Sequence, residues 1–110
     1  MENHTSPEDL LHSGYRDAAF IAKALADENR LRIILSLAAG KKSVSRVVEE
    51  LGLSQPLVSH HLKELKRTLL VTVERNGPFI FYELTDRRIV SILTELNELA
   101  ANLLANRTTF

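Results

Sequence analysis

Apolar and polar positions across residues 54–69 recur with the period of a helix. At about 100° per residue, Val58, Leu62, Leu65 and Leu69 share one stripe. Pro56, His60, Lys63 and Arg67 lie opposite, with Ser59 beside them. Ser54 is suited to cap the helix, and Pro56 falls in the first turn, where a missing N–H costs little. The pattern predicts an inner face that anchors the helix. Its outer face sets short hydrogen-bonding groups near the N-terminus and cations farther along. A helix that reads a DNA major groove needs that order, because its first turns meet base edges and the flanking charges meet phosphates.

The remaining pattern predicts a mainly α domain with one small β-hairpin. Residues 1–13 are polar, contain Pro7 and read as a loose arm. Residues 15–26 form a first helix, with Phe20, Ala24 and Leu25 able to share a face. Asp27 caps a second helix that runs to Ala39 and ends at Gly40. Ser43 caps a short third helix to Leu51, with Val44, Val47, Val48 and Leu51 inward. Gly52 ends it, and the link to the fourth helix is short enough for a helix-turn-helix. At Val71 the period changes to two, which predicts a strand over 71–75. A turn around Gly77 and a return strand over 79–84 complete a hairpin, the wing. Asp86 caps a long last helix. The domain is read as residues 14–106 and the tail as 107–110.

The last helix carries Ile89, Ile92, Leu93, Leu96, Leu99, Ala100, Leu103 and Leu104 on one stripe. A domain this small has little left to cover such a stripe, and a monomer would expose a large apolar patch. The same helix of a second copy is the expected cover, helped by the first helix, which gives a two-fold homodimer. Phe20, Ala24, Ile89, Ile92, Leu93, Leu96, Leu99 and Leu103 are its expected contact residues. Folding back onto its own domain is the alternative.

Composition narrows the setting. The 110 residues are 45% hydrophobic and 25% charged, as in a single globular domain. There is no cysteine, which excludes disulfides and thiolate metal or redox sites and suits the cytoplasm. No apolar run reaches the roughly 20 residues of a membrane span. Net charge is zero, yet residues 41–75 hold seven cations and four acids. A basic middle is thus flanked by acidic ends.

Three stretches together resemble the ArsR/SmtB family of repressors. Residues 25–34 (LADENRLRII) are similar to the family's opening motif. Residues 53–65 (LSQPLVSHHLKEL) are similar to its recognition-helix signature, and residues 74–84 (ERNGPFIFYEL) to its wing. The resemblance covers about residues 16–104. It implies a winged helix-turn-helix fold and a homodimeric repressor that binds a double-stranded operator and releases it on a signal. By the same resemblance, Gln55, Ser59 and His60 match positions that face the groove. A glutamine amide can pair with adenine in two places, and a serine can donate or accept. Lys63, Lys66 and Arg67 are expected at phosphates, and Arg75 at the backbone or minor groove. Ser54, Pro56, Lys41 and Lys42 complete the expected DNA-binding set. His61 lies nearer the apolar stripe and is expected as a packed, hydrogen-bonded core residue. Phe81 and Tyr82 are expected in the wing's core.

The chain departs from the family's metal sensors. Where a Cys-Val-Cys pattern would bind, it has Ser43, Val44 and Ser45. Of a last-helix Asp/His site, Asp86 remains, with Arg88, Leu99 and Asn102 near the other positions. Hydroxyls and guanidinium groups are poor ligands for such ions. His4 and His12, with Glu8 and Asp9, are the remaining metal candidates, and no metal or other cofactor is expected. An unknown small-molecule inducer, seated between the arm, the second helix and the last helix, stays open. Two other function classes are open at this stage. One is a winged-helix protein-interaction module without DNA binding. The other is an enzyme, against which Ser59 beside His60 and His61 is mere adjacency, since neighbours on a helix point about 100° apart.

Overall fold

Local signals at the helix ends set most of the element boundaries. The structure, a computed structural model, describes residues 6–12 and 14–107. The elements are α1 (Pro7–His12), α2 (Arg16–Ala24), α3 (Glu28–Ser36), a 3-10 turn (Leu37–Ala39), β1 (Lys42–Ser43), α4 (Val44–Leu51), α5 (Gln55–Arg67), β2 (Val71–Asn76), β3 (Phe79–Leu84) and α6 (Arg88–Ala105). Asp27, Ser43 and Ser54 each accept the backbone N–H three residues on, from Arg30 (3.1 Å), Arg46 (3.2 Å) and Leu57 (3.3 Å). These are side-chain caps of α3, α4 and α5. Gly52 ends α4 at φ +67°, a left-handed position that glycine takes without strain. At the start of α6, Asp86 Oδ1 accepts the Arg88 N–H at 2.9 Å. The capping position itself is Arg87, whose guanidinium donates to the Ala38 carbonyl at 2.7 Å and ties α6 to the end of the 3-10 turn.

Three elements differ from the expectations. Inside the stretch read as an arm, Pro7–His12 form one short helix with no buried residue. The second helix tightens into the 3-10 turn from Leu37 instead of running on as α-helix to Ala39. Lys42 and Ser43 form a strand that local pattern did not announce. It pairs antiparallel with β3, Lys42 to Tyr82 and Ser43 to Phe81, so the wing is a three-stranded sheet in the order β1-β3-β2.

The core lies where α3, α4 and α5 meet the foot of the wing and the start of α6. Ile33, Ile34, Leu37, Val47, Val58, Leu62, Leu65, Val71, Ile89 and Leu93 form one buried cluster. The remaining shape is drawn out: the radius of gyration is 16.6 Å and the extents are 51 × 37 × 23 Å. A compact chain of this length would have a radius near 13 Å. Beyond Leu93 the leucines of α6 stand exposed, Leu96, Leu99, Leu103 and Leu104 among them.

Candidate nucleic-acid interface

The inner face of α5 fixes the attitude of its outer face. Val58, Leu62 and Leu65 are each 0% exposed, while Gln55, Pro56, His60, Lys63 and Lys66 stand exposed and Ser59 is half-buried. Val58, Leu62 and Leu65 pack with Ile33 and Ile34 of α3 and Val47 of α4, so α5 cannot roll without opening the core. Leu69 departs from its expected place on that stripe. The helix ends at Arg67, and Leu69 takes φ +67° and is 74% exposed. The N–H of Leu70 reaches back to the Leu65 carbonyl at 2.9 Å, closing a helix-ending loop in which the left-handed position falls on a leucine.

The expected cations separate into two groups. Lys63, Lys66 and Arg75 carry no ion pair among the described residues, and Lys66 and Arg75 line the groove between α5 and the wing with Val71 and Val73. The other three are engaged. Lys41 pairs with Glu74 of β2 and lies over the Phe81 ring, 5.7 Å from its centroid. The hydrogen bond to Glu74 pushes the Lys41 pKa up. Lys42 is little exposed and donates to Ser36 Oγ (3.1 Å) and Glu50 (2.6 Å), so it joins β1 to α3 and α4. That hydrogen bond holds the Glu50 carboxyl below the usual range. Arg67 lies on the flank of α5 that faces α2. It forks onto Glu64 (2.5–3.2 Å) and stacks over the Phe20 ring of α2 at 5.5 Å. Its hydrogen bonds hold the Glu64 carboxyl low.

The wing extends from this surface. Val71 through Asn76 pair in register with Leu84 back to Phe79, and Gly77 takes φ +61° in the two-residue turn with Pro78. A positive φ at the first central residue is what such a hairpin turn requires. Phe81 and Tyr82 are half-buried in the sheet, and Arg75 is exposed next to the turn.

The two adjacent histidines of α5 face opposite ways. His60 is exposed. His61 is 5% exposed, with Nε2 3.7 Å from Asp27 Oδ1. Its Nδ1 is enclosed and has no hydrogen-bond partner among the described residues, so there it is packed without the hydrogen bonding expected of it. Burial holds its pKa below the ordinary value of 6.5.

The expected dimer residues also divide. Ala24, Ile89 and Leu93 are buried within the single chain, at 4%, 7% and 4% exposure, because α6 and the end of α2 pack on their own domain. They are core residues and not free for a partner. Phe20, Ile92, Leu96, Leu99 and Leu103 remain 45–63% exposed.

The family's metal positions do not fit a metal here. The hydroxyls of Ser43 and Ser45 lie 3.2 Å apart, and Ser43 is also the cap of α4. Both oxygens of Asp86 are taken by the Arg88 guanidinium at 2.8–3.2 Å, which lowers its pKa to about 2. Among the described residues no three His, Asp or Glu side chains gather as a metal site. His12 ends α1, and His4 lies outside the described residues. No helix among the described residues is long and apolar enough to cross a membrane.

Comparison with known proteins places these features in a wider set. Residues 27–73, from the cap of α3 through the first residues of β2, match the sequence profile described as bacterial regulatory protein, arsR family. An uncharacterized HTH-type transcriptional regulator of Methanocaldococcus jannaschii is 38% identical over 86 residues, covering 77% of this chain and 97% of that protein. The crystal structure of the transcriptional repressor BigR from Xylella fastidiosa superposes with a TM-score of 0.75 at 28% identity, covering 86% of this chain and 95% of that one. A solution structure from Mycobacterium bovis superposes at 0.69 with 25% identity, covering 92% and 91%. It is described as a homodimeric winged helix-turn-helix DNA-binding domain of a possible ArsR-family transcriptional regulator.

Proposed function

Because the chain belongs to the ArsR family and is a DNA-binding transcriptional regulator rather than an enzyme, we propose that it acts as a homodimeric repressor. In this reading α5 of each protomer enters one of two successive major grooves of an operator. The observation that carries it is the two-sided character of α5. Its apolar side is sealed, while Gln55, His60, Lys63 and Lys66 are held outward on a helix that cannot turn. Gln55, Ser59 and His60, with the cap residues Ser54 and Pro56 beside them, meet base edges. Lys63, Lys66 and Arg75 meet phosphates, with Arg75 carried by the wing.

The seam runs along α6 with Phe20 of α2. On the helical period, Ile92, Leu96, Leu99 and Leu103 lie about 70° round from Ile89, Leu93 and Ala100. The stripe is therefore wide enough for two covers, the chain's own domain on one edge and the partner on the other. The homodimeric neighbour supports this arrangement. With hydroxyls and a guanidinium at the family's metal positions, repression is independent of metal.

Selection of bound fragments from genomic DNA tests the reading. The recovered sites contain two half-sites about one helical turn apart. Replacing Ser59 or His60 by alanine weakens binding to the selected site by on the order of 1–3 kcal/mol. Parent-like binding by both variants refutes the assigned face.

A further inference from the structure

Between α2, α3 and the last turn of α5 lies a recess of about 290 Å³ lined by Phe20, Lys23, Ala24, Arg30, Glu64, Arg67 and Thr68. Three cations and one acid line it. The acid is already matched, since Glu64 is held in the fork of Arg67. That leaves Lys23 and Arg30. No hydrogen bond or ion pair engages either side-chain charge among the described residues. The Nε of Arg30 is sealed from solvent with no partner among the described residues. A buried guanidinium N–H left unpaired costs on the order of 1–3 kcal/mol or more, so such groups ordinarily have a partner. Asp27 accepts the Arg30 backbone N–H, but on the Arg30 guanidinium Asp27 and Glu64 act only through space. The recess is about the size of the smallest ligand pockets, and a guanidinium fork suits carboxylate and phosphate oxygens.

We propose that this recess is a binding site for a small oxyanion, a carboxylate or phosphate group, held by Arg30 and Lys23. The site is distinct from the groove-facing surface, and its effect on DNA rests on the regulator reading above. One wall is the final turn of the recognition helix. A bound oxyanion competes with Glu64 for Arg67 and so loosens that turn from Phe20. Occupancy thereby changes how firmly α5 is braced from behind and weakens operator binding.

The test follows the arginine Nε–H resonances of the full chain during titration with inorganic phosphate and, separately, acetate. Chloride at matched ionic strength is the control. The Arg30 resonance moves saturably with at least one probe, and the stronger probe assigns the group. Lys23→Ala weakens that binding about tenfold, the value of one charge-assisted hydrogen bond. Arg30→Gln does so too if it folds; Lys23 is exposed, so its variant keeps the test available. No movement beyond chloride for either probe, or full affinity in Lys23→Ala, overturns the site. The probe should also weaken operator binding by the parent and not by Lys23→Ala. If Lys23→Ala binds DNA poorly with no probe present, the recess serves the DNA backbone and the effector site is refuted. Anion binding is read without DNA, so a chain that takes phosphate but binds no DNA fails the regulator reading alone.

Discussion

A glutamate at Leu99 should separate the two protomers while leaving each one folded. In the single chain Leu99 is 55% exposed, and it sits on the edge of α6 that its own domain leaves bare. Burying a leucine completely contributes about 1.5–3 kcal/mol, so covering the exposed half in a dimer contributes about 1 kcal/mol. A two-fold axis uses the position twice, which makes the loss about 2 kcal/mol per dimer before any charge effect. At 1.4 kcal/mol per decade, the dimer dissociation constant rises at least about 30-fold. The carboxylates add to this, because each must leave water. Sedimentation across a concentration series that brackets the parent's dissociation constant reads the shift directly. Circular dichroism checks that the protomer is intact, and Glu98→Gln, about 100° round α6 from Leu99, is the control. Operator affinity falls with the dimer, since a lone protomer holds one half-site. A parent that stays monomeric, or a Leu99→Glu chain that dimerises as the parent does, refutes the seam.

The other predictions concern the C-terminal end of α5, the cations around the interface and the buried histidine. Leu69→Gly relieves a left-handed leucine at φ +67° and raises the stability of the protomer by about 1 kcal/mol, read from denaturant midpoints; a loss of stability would show that the exposed side chain is held by contacts. Lys66→Ala lowers the salt slope of operator binding by about one, whereas Arg67→Ala and Lys42→Ala leave it unchanged because those cations are already paired. His61 is held below 6.5 by burial, so the unfolded chain takes up its proton first on acidification. That histidine's contribution is fully present above pH 6.5 and is lost as pH falls toward its folded value. Unfolding at a fixed protein concentration should therefore show stability declining below pH 6.5, and His61→Gln should flatten that decline; a parent more stable in acid contradicts the assignment.

Much of the fold was legible because its boundaries are local. Asp27, Ser43 and Ser54 cap helices through bonds that span three residues, and Gly52 and Gly77 supply a positive φ where α4 ends and where the hairpin turns. The change of period at Val71 marks the wing. What was not legible depends on partners far away in sequence. Two residues cannot show alternation, so β1 exists only because β3 offers Lys42 and Ser43 a ladder. Helical period put Leu69 inward, but the chain had already left the helix at Arg67. The stripe on α6 showed one broad apolar face. Only the packing against α3 and the rest of its own core divides it into an edge for Ile89 and Leu93 and an edge for Leu99.

Charge shows most plainly why the site was only half readable. Counted along the chain, seven cations in residues 41–75 look equivalent, and zero net charge looks unfavourable for DNA. Folding sorts them. Glu74 takes Lys41, Glu50 takes Lys42, Glu64 takes Arg67, and outside this segment Asp86 takes Arg88. Pairs at or near the surface contribute little to stability. Their larger consequence is spatial: each removes a cation from competition for phosphate. Among the described residues Lys63, Lys66 and Arg75 stay unpaired, the last two in the groove that α5 and the wing share. A neutral chain can thus present a positive face, because its acids sit with the cations that hold helices and strands together and not with those turned outward.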